Sequence, residues 1–148
     1  MKIILKEINE DNWRDCIGLK VRKDQERFVA TNENSLALAY AHKEMEPRAI
    51  YFNEKMVGFI MFAKDPDDGI YYINRFMTDE KYQGNGYGRK ALEILIGMIK
   101  ERGVQFIDII HKPDNFSAIK LYRSIGFEPT EDKLNDDVIS RVNFNLRE

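Results

Sequence analysis

The sequence predicts a single domain of mixed α/β class over residues 1–148, and three observations carry that reading. A short apolar strand pattern opens the chain and two helical patterns follow it. Three nearly continuous apolar strands then come in succession. After them one strand–helix–strand passage is punctuated by glycines, the arrangement that makes a parallel crossover. With 148 residues, 43% of them hydrophobic, the chain is long enough for one sizeable core without disulfides or a structural metal.

Each element can be argued in order. Residues 2–7 read as a first strand, and Asn9, Asp11 and Asn12 offer caps for a helix carrying Trp13, Cys16, Ile17, Leu19 and Lys20. The segment to Val29 is highly charged and shows no clear period. Asn34 or Ser35 starts a second helix over residues 36–46, with Leu36, Leu38, Ala39 and Met45 as a rough stripe. Pro47, Pro66, Pro113 and Pro129 read as punctuation between elements. Residues 49–52 and 56–62 form a hairpin around Asn53-Glu54-Lys55, and residues 70–77 add a third strand after the Asp65–Gly69 turn. A long helix runs over residues 86–102, with Ala91, Leu92, Leu95, Ile96 and Ile99 on one face, and stops at Gly103. Residues 104–110 are a strand apolar on both sides. Asp114 or Asn115 caps a short helix that Gly126 ends, Phe127 begins a strand, and residues 138–146 return as the last one.

Composition excludes several functions. The 23 basic side chains against 25 acidic ones give a net charge of −2, which argues against a nucleic-acid-coating role. Cys16 is the only cysteine, so no disulfide framework is possible, and His42 and His111 lie too far apart to suggest a metal site. The N-terminus meets charge after three apolar residues, and no segment approaches the roughly 18 apolar residues of a membrane span. A cytoplasmic protein with no membrane partner is expected.

The chemistry-bearing segment is Asp79-Glu80-Lys81-Tyr82-Gln83-Gly84-Asn85-Gly86-Tyr87-Gly88-Arg89-Lys90, at the entrance of the long helix. Glycines there let backbone approach a ligand, and the unbonded N–H groups of a first helical turn attract an anion such as pyrophosphate. A P-loop is excluded because Gly88 is followed by Arg-Lys-Ala and no hydroxyl for magnesium. The Gly84, Gly86, Gly88 spacing also departs from the dinucleotide fingerprint.

What fits is Gln83-x-x-Gly86-x-Gly88 between a strand and a long amphipathic helix, followed by Asn115 to Gly126-Phe127 and a closing hairpin. This pattern resembles the acyl-CoA loop of the GNAT superfamily of N-acetyltransferases, and the resemblance covers nearly the whole chain. Within it, residues 74–88 and 115–127 look like those of bacterial spermine/spermidine acetyltransferases. The resemblance implies a central mixed sheet flanked by helices, with a bulged strand that splays from its neighbour. It implies acetyl-CoA as cosubstrate, held by Phe76, Met77, Thr78, Gln83, Gly84, Asn85, Gly86, Tyr87, Gly88, Arg89 and Asn115. Met77 or its neighbour would supply the oxyanion N–H, and Tyr122 would be the general acid.

Acyl transfer to an amine also needs loss of a proton, since an alkylammonium with a pKa near 10.4 is not a nucleophile. The better-known relatives carry an acid at the position of Asn74, and an amide cannot take a proton at neutral pH. Asn74, Glu33 and Asp108 are therefore the candidates for contact with the acceptor, and the base is left open among Glu33, Asp108 and water. His111, at a strand end facing the site, is a further titratable candidate. The expected activity is direct transfer of acetyl to a primary amine, most naturally spermidine or spermine. Other amines (a protein N-terminus, a lysine, an aminoglycoside, an amino acid) and a non-catalytic CoA-binding module stay open. A homodimer is an expectation from the resemblance alone.

Overall fold

The computed structural model describes residues 2–144. Its elements are β1 (Ile3–Glu7), α1 (Trp13–Gly18), a 3-10 turn at Lys23–Gln25, α2 (Asn32–Ala41), β2 (Met45–Phe52), β3 (Lys55–Lys64), β4 (Tyr71–Thr78), a second 3-10 turn at Glu80–Tyr82, α3 (Tyr87–Lys100), β5 (Phe106–His111), α4 (Phe116–Ile125), β6 (Glu128–Leu134) and β7 (Asp137–Asn143). The seven strands form one sheet in the order β1-β2-β3-β4-β5-β7-β6. Every pairing is antiparallel except β4 with β5, the crossover bridged by α3.

β3 explains why the middle of the chain reads as continuously apolar. Ile60 and Phe62 face α3 and α4, packing with Ile73, Leu92, Leu95, Ile99 and Phe127. The alternate residues Phe59 and Met61 face α1 and α2, packing with Cys16, Ala49 and Met77. A strand covered on both sides has no polar face to alternate with.

One boundary departs from the sequence reading. The second helix begins at Asn32, where the Thr31 hydroxyl accepts from Asn34 N, and ends at Ala41 rather than reaching residue 46. Met45 and Glu46 belong to β2, and so does Pro47, which pairs with Met61 inside the strand instead of breaking it. β1 reaches only to Arg48, so the missing N–H of Pro47 faces a side where β2 has no partner. Glu46 then binds Arg102, just past α3, at 2.8 Å, tying that helix to β2. Smaller shifts affect β1, which starts at Ile3, and β7, which ends at Asn143. Residues 145 and 146 of the expected last strand lie outside the described residues.

The feature that positions the site is a break in the middle of the sheet. β4 and β5 pair only at Tyr72 with Asp108 and Ile73 with Ile109. Against β3, Ile73 pairs with Phe62 and Arg75 with Met61, so Asn74 is one residue too many, a β-bulge. The bulge breaks the alternation and turns Asn74 and Arg75 to the same side. Asn74 Nδ2 lies 3.5 Å from Met45 Sδ, and Arg75 Nε donates to Ser35 Oγ of α2 at 3.0 Å. Beyond the bulge β4 diverges from β5 and leaves an open backbone edge.

Candidate functional site

The open edge has a definite polarity. Asp79 N donates to Val57 O at 2.8 Å, which makes 57 and 79 a hydrogen-bonded pair of the antiparallel ladder. Alternation then directs the N–H and C=O of Met77 toward Phe59 on β3, and those of Phe76 and Thr78 into the opening. Gln83 Nε2 takes one of these groups, donating to Thr78 O at 2.9 Å. The sequence reading grouped Phe76, Met77 and Thr78 as equivalent backbone partners, and the register separates them. Met77 is bonded within the sheet and contributes its side chain to the packing under α1 and α2.

At the end of β4 the loop is shaped by local chemistry. Asp79, almost fully buried, accepts from Lys20 N at 2.8 Å and Lys81 N at 3.0 Å, fixing the turn into the second 3-10 segment. Gln83 also bonds Gln25 at 2.8 Å, and Arg22 donates to it. Gly84 and Gly86 have φ of 83° and 82°, a left-handed conformation costly for other residues. Gly88 serves differently: a Cβ there would lie 3.0 Å from Thr78 Oγ1 and 3.4 Å from the Phe76 ring, so glycine lets α3 start against β4. Lys90 N is bonded back to Gly86 O at 3.1 Å. The N–H groups of Tyr87, Gly88 and Arg89 precede that bond and have no carbonyl one turn back, and with the helix dipole they form an anion site.

These groups open onto a cavity of about 440 Å³ between β4, the loop, the end of β5 and α4. Phe76, Met77, Thr78, Gln83, Gly84, Gly86, Tyr87, Gly88, Arg89, Asn115 and Tyr122 all line it, as does Asn74. Asn85 does not: its exposed amide folds back on Tyr82 O at 3.0 Å and Gln83 O at 3.4 Å, shaping the loop instead. Arg89 borders the cavity while bonded to Ser124 Oγ at 2.6 Å and paired with Glu93 at 3.3 Å. Arg22, Gln25, Phe28 and Val29 from the early chain line it too, along with Ser117 and Leu121 of α4. The sequence singles out none of these residues: in the early chain no motif is diagnostic, and nothing local in the charged segment before Val29 marks it as facing a loop some 60 residues on.

Tyr122 lies two turns into α4 from Asn115, whose Oδ1 caps the helix by accepting from Ala118 N at 3.4 Å. Its ring is buried among His111, Phe127 and Phe76, with centroids 5.5, 6.0 and 6.3 Å away. Burial pushes its phenol well above the usual tyrosine range, so it stays protonated and is a hydrogen-bond donor. His111 has both ring nitrogens committed. Nδ1 lies 3.1 Å from the Lys112 carbonyl, which can only accept, so Nδ1 donates there, and Nε2 lies 2.9 Å from Ser140 Oγ.

A second cavity, about 580 Å³, lies on the α2 side, lined among others by Glu26, Leu38, Met45, Tyr72, Lys112 and Asp137. The two cavities share Phe28, Val29, Asn74, Arg75, Ile110 and His111, and so meet where β4 and β5 part. The Tyr72 phenol is pushed up by burial and then by the negative charges of Asp65, Glu44 and Asp68, which stand near it but line neither cavity. Of the other two acceptor-side candidates, neither is at the junction. Glu33 is exposed on α2 and lines neither cavity. Asp108 lines neither as well, and both its oxygens are held by Arg141, at 2.7 and 3.0 Å. Among the described residues no cluster of three or more His, Cys, Asp or Glu side chains is arranged to hold a metal, and no helix is long and apolar enough to cross a membrane.

The model of the acetyltransferase (GNAT) family matches residues 5–127, a span that holds both the bulged strand and the glycine-built helix entrance. The chain belongs to this family. It is accordingly an N-acetyltransferase that draws on acetyl-CoA. Among GNAT relatives, the spermine/spermidine N(1)-acetyltransferase of Bacillus subtilis (strain 168) is 30% identical over 135 residues, covering 86% of this chain and 89% of that one. The ribosomal-protein-bS18-alanine N-acetyltransferase of Escherichia coli (strain K12) is 32% identical over 103 residues, 64% of this chain and 68% of that one. A solved domain from Methanocaldococcus jannaschii DSM 2661 superposes with a TM-score of 0.78 at 19% identity, over 96% of this chain and 98% of that one, a likeness of fold.

Proposed function

We propose that this GNAT protein transfers acetyl from acetyl-CoA directly to a primary amine of a polyamine, spermidine or spermine. The observation that carries the reading is the meeting of two cavities at the splay, one floored by the free N–H groups of α3 and the other reaching Tyr72 on the α2 side. The pyrophosphate fits the first turn of α3, with Gly84, Gly86 and Gly88 giving backbone access and Arg89 adding positive charge. The pantetheine arm fits the open edge, hydrogen-bonding the backbone of Phe76 and Thr78 like a missing strand, with Asn115 alongside.

The amine then attacks the thioester carbonyl from the α2 side. A C–N bond forms, the carbonyl oxygen becomes an oxyanion, and a β4 N–H at the open edge stabilises it. The oxyanion collapses and the C–S bond breaks as Tyr122 gives its proton to the departing sulfur; the attacking nitrogen, cationic in the intermediate, loses one proton to solvent, and the tyrosinate regains one from solvent. Burial keeps this phenol protonated, so the proton is present to be given. An acyl-cysteine route is disfavoured: Cys16 is fully buried in α1, lines neither cavity, and burial pushes its thiol up to about 12.

The similarity to the Bacillus subtilis polyamine enzyme over 86% of this chain supports the acceptor class. So do the carboxylates of Asp65, Glu44 and Asp68 near Tyr72, since carboxylates attract the ammonium groups of a polyamine that are not reacting. The test is acetyl-CoA-dependent thiol release with spermidine, spermine, a diamine, a lysine peptide, a peptide with N-terminal alanine and an aminoglycoside, each alone. Selective turnover of the polyamines is expected. Preference for the alanine peptide would move the reading to protein N-termini, and CoA binding without release for any amine would make the chain a binding module.

A further inference from the structure

The bulge places two neighbouring side chains with unmet partners at the junction of the cavities. Asn74 Oδ1 is buried and has no hydrogen-bond partner among the described residues, while its Nδ2 is turned to Met45 Sδ. Arg75, half-buried, uses Nε on Ser35 Oγ and one terminal nitrogen on the carbonyl oxygen of Asn74, both at 3.0 Å, and has no carboxylate partner among the described residues. The other charges around this space are matched or lie outward. On the early chain Arg27 is paired with Asp114 at 2.7 Å, and Glu26 is exposed. At the end of β5 Lys112 is paired with Asp137 of β7 at 3.1 Å, and His111 has both nitrogens engaged. Beside Tyr72 on β4 stand the carboxylates of Glu44, Asp65 and Asp68.

We propose that Asn74 and Arg75 form the seat of the reacting nitrogen: Oδ1 accepts one of its N–H groups, and the unpaired guanidinium disfavours its ammonium form, so the proton leaves to solvent without a protein carboxylate. This deepens the amine-transfer reading and rests on it. A carboxylate at position 74 would stabilise an ammonium and then have to take its proton. A neutral amide beside a cation does the reverse: it holds the nitrogen by dipole alone, and the like charge lowers the nitrogen's pKa. A polyamine is then sorted by charge, its remote ammonium drawn to the outer carboxylates and its near end delivered as a free amine.

The experiment is the single-turnover rate of acetyl transfer at saturating spermidine against pH, which reports ionisation in the ternary complex. For the unmodified protein the rate should rise with a midpoint at least about one unit below the ordinary amine value near 10.4. Arg75→Gln should move that midpoint up by about one unit, and Arg75→Lys should keep it low. Asn74→Leu should raise KM for spermidine about tenfold without moving the midpoint. A midpoint at or above about 10 in the unmodified protein overturns the proposal whether or not the variants fold. So does an unchanged midpoint in folded, CoA-binding Arg75→Gln. Turnover of amines with these results removes only this inference, whereas no turnover of any amine removes the amine-transfer reading and this inference together.

Discussion

At the scale of single residues, roles separate according to whether a polar atom is already satisfied. Tyr122 lines the cavity, its hydroxyl has no hydrogen-bond partner among the described residues, and burial holds it protonated. Tyr122→Phe keeps the ring between His111, Phe76 and Phe127 and removes only the donor. It should lower kcat about a hundredfold or more with little change in melting temperature or in KM for acetyl-CoA. Because the phenol's pKa is raised, its donating form persists as pH rises, so kcat should show no alkaline fall from this group below about pH 10. Asp108 is the opposite case. Its carboxylate is spent on Arg141, so Asp108→Ala should cost about 2 kcal/mol of stability, measured by denaturant unfolding, and leave KM for the amine unchanged. Sequence alone cannot make this distinction, because the partner is 33 residues away on the paired strand, directly opposite in register.

At the scale of elements, the most legible part was the one written in local chemistry. Gly84 and Gly86 need their backbone angles, and α3 has a clean apolar face, so loop and helix could be read from composition and period. Gly88 adds a packing requirement. Gly88→Ala would push the start of α3 off Thr78 and Phe76, and CoA affinity by calorimetry should fall about tenfold. The α2–β2 boundary was illegible for the converse reason. α2 has almost no amphipathic stripe, and the strand character of Met45–Pro47 comes from pairing with β3, a contact between distant segments. Its Glu46 carries a testable charge effect. Arg102, and then Arg48, hold this carboxyl below its ordinary pKa, so the ion pair contributes stability above the unfolded value and loses it as pH falls through the lowered folded one. Thermal melts between about pH 6 and pH 3 should fall more steeply for the unmodified protein than for Glu46→Gln.

For the whole molecule, the sheet is two blocks, β1–β4 and β5–β7–β6, whose strands are joined by only two residue pairs at the splay. The element order let the sequence place a crossover there, but not how few pairs would close it, since that depends on the bulge at Asn74 and on the register of β3. A ligand arm lying in the opening would complete the ladder and join the blocks, so binding and folding should be coupled. At a CoA concentration about a hundred times its Kd, linkage adds about 2.7 kcal/mol to the unfolding free energy. A general rise in melting temperature would not by itself locate the ligand. The register does: the N–H groups of Phe76 and Thr78 face the opening, while that of Met77 is bonded to β3. Without ligand, the amides of Phe76 and Thr78 should exchange with deuterium faster than that of Met77, and CoA should slow the first two far more than the third. Equal protection of all three would mean that CoA stabilises the fold without entering the ladder. The pantetheine arm would then have to lie elsewhere, and the case for an amine reaching the thioester from the α2 side through Asn74 and Arg75 would lose its geometry.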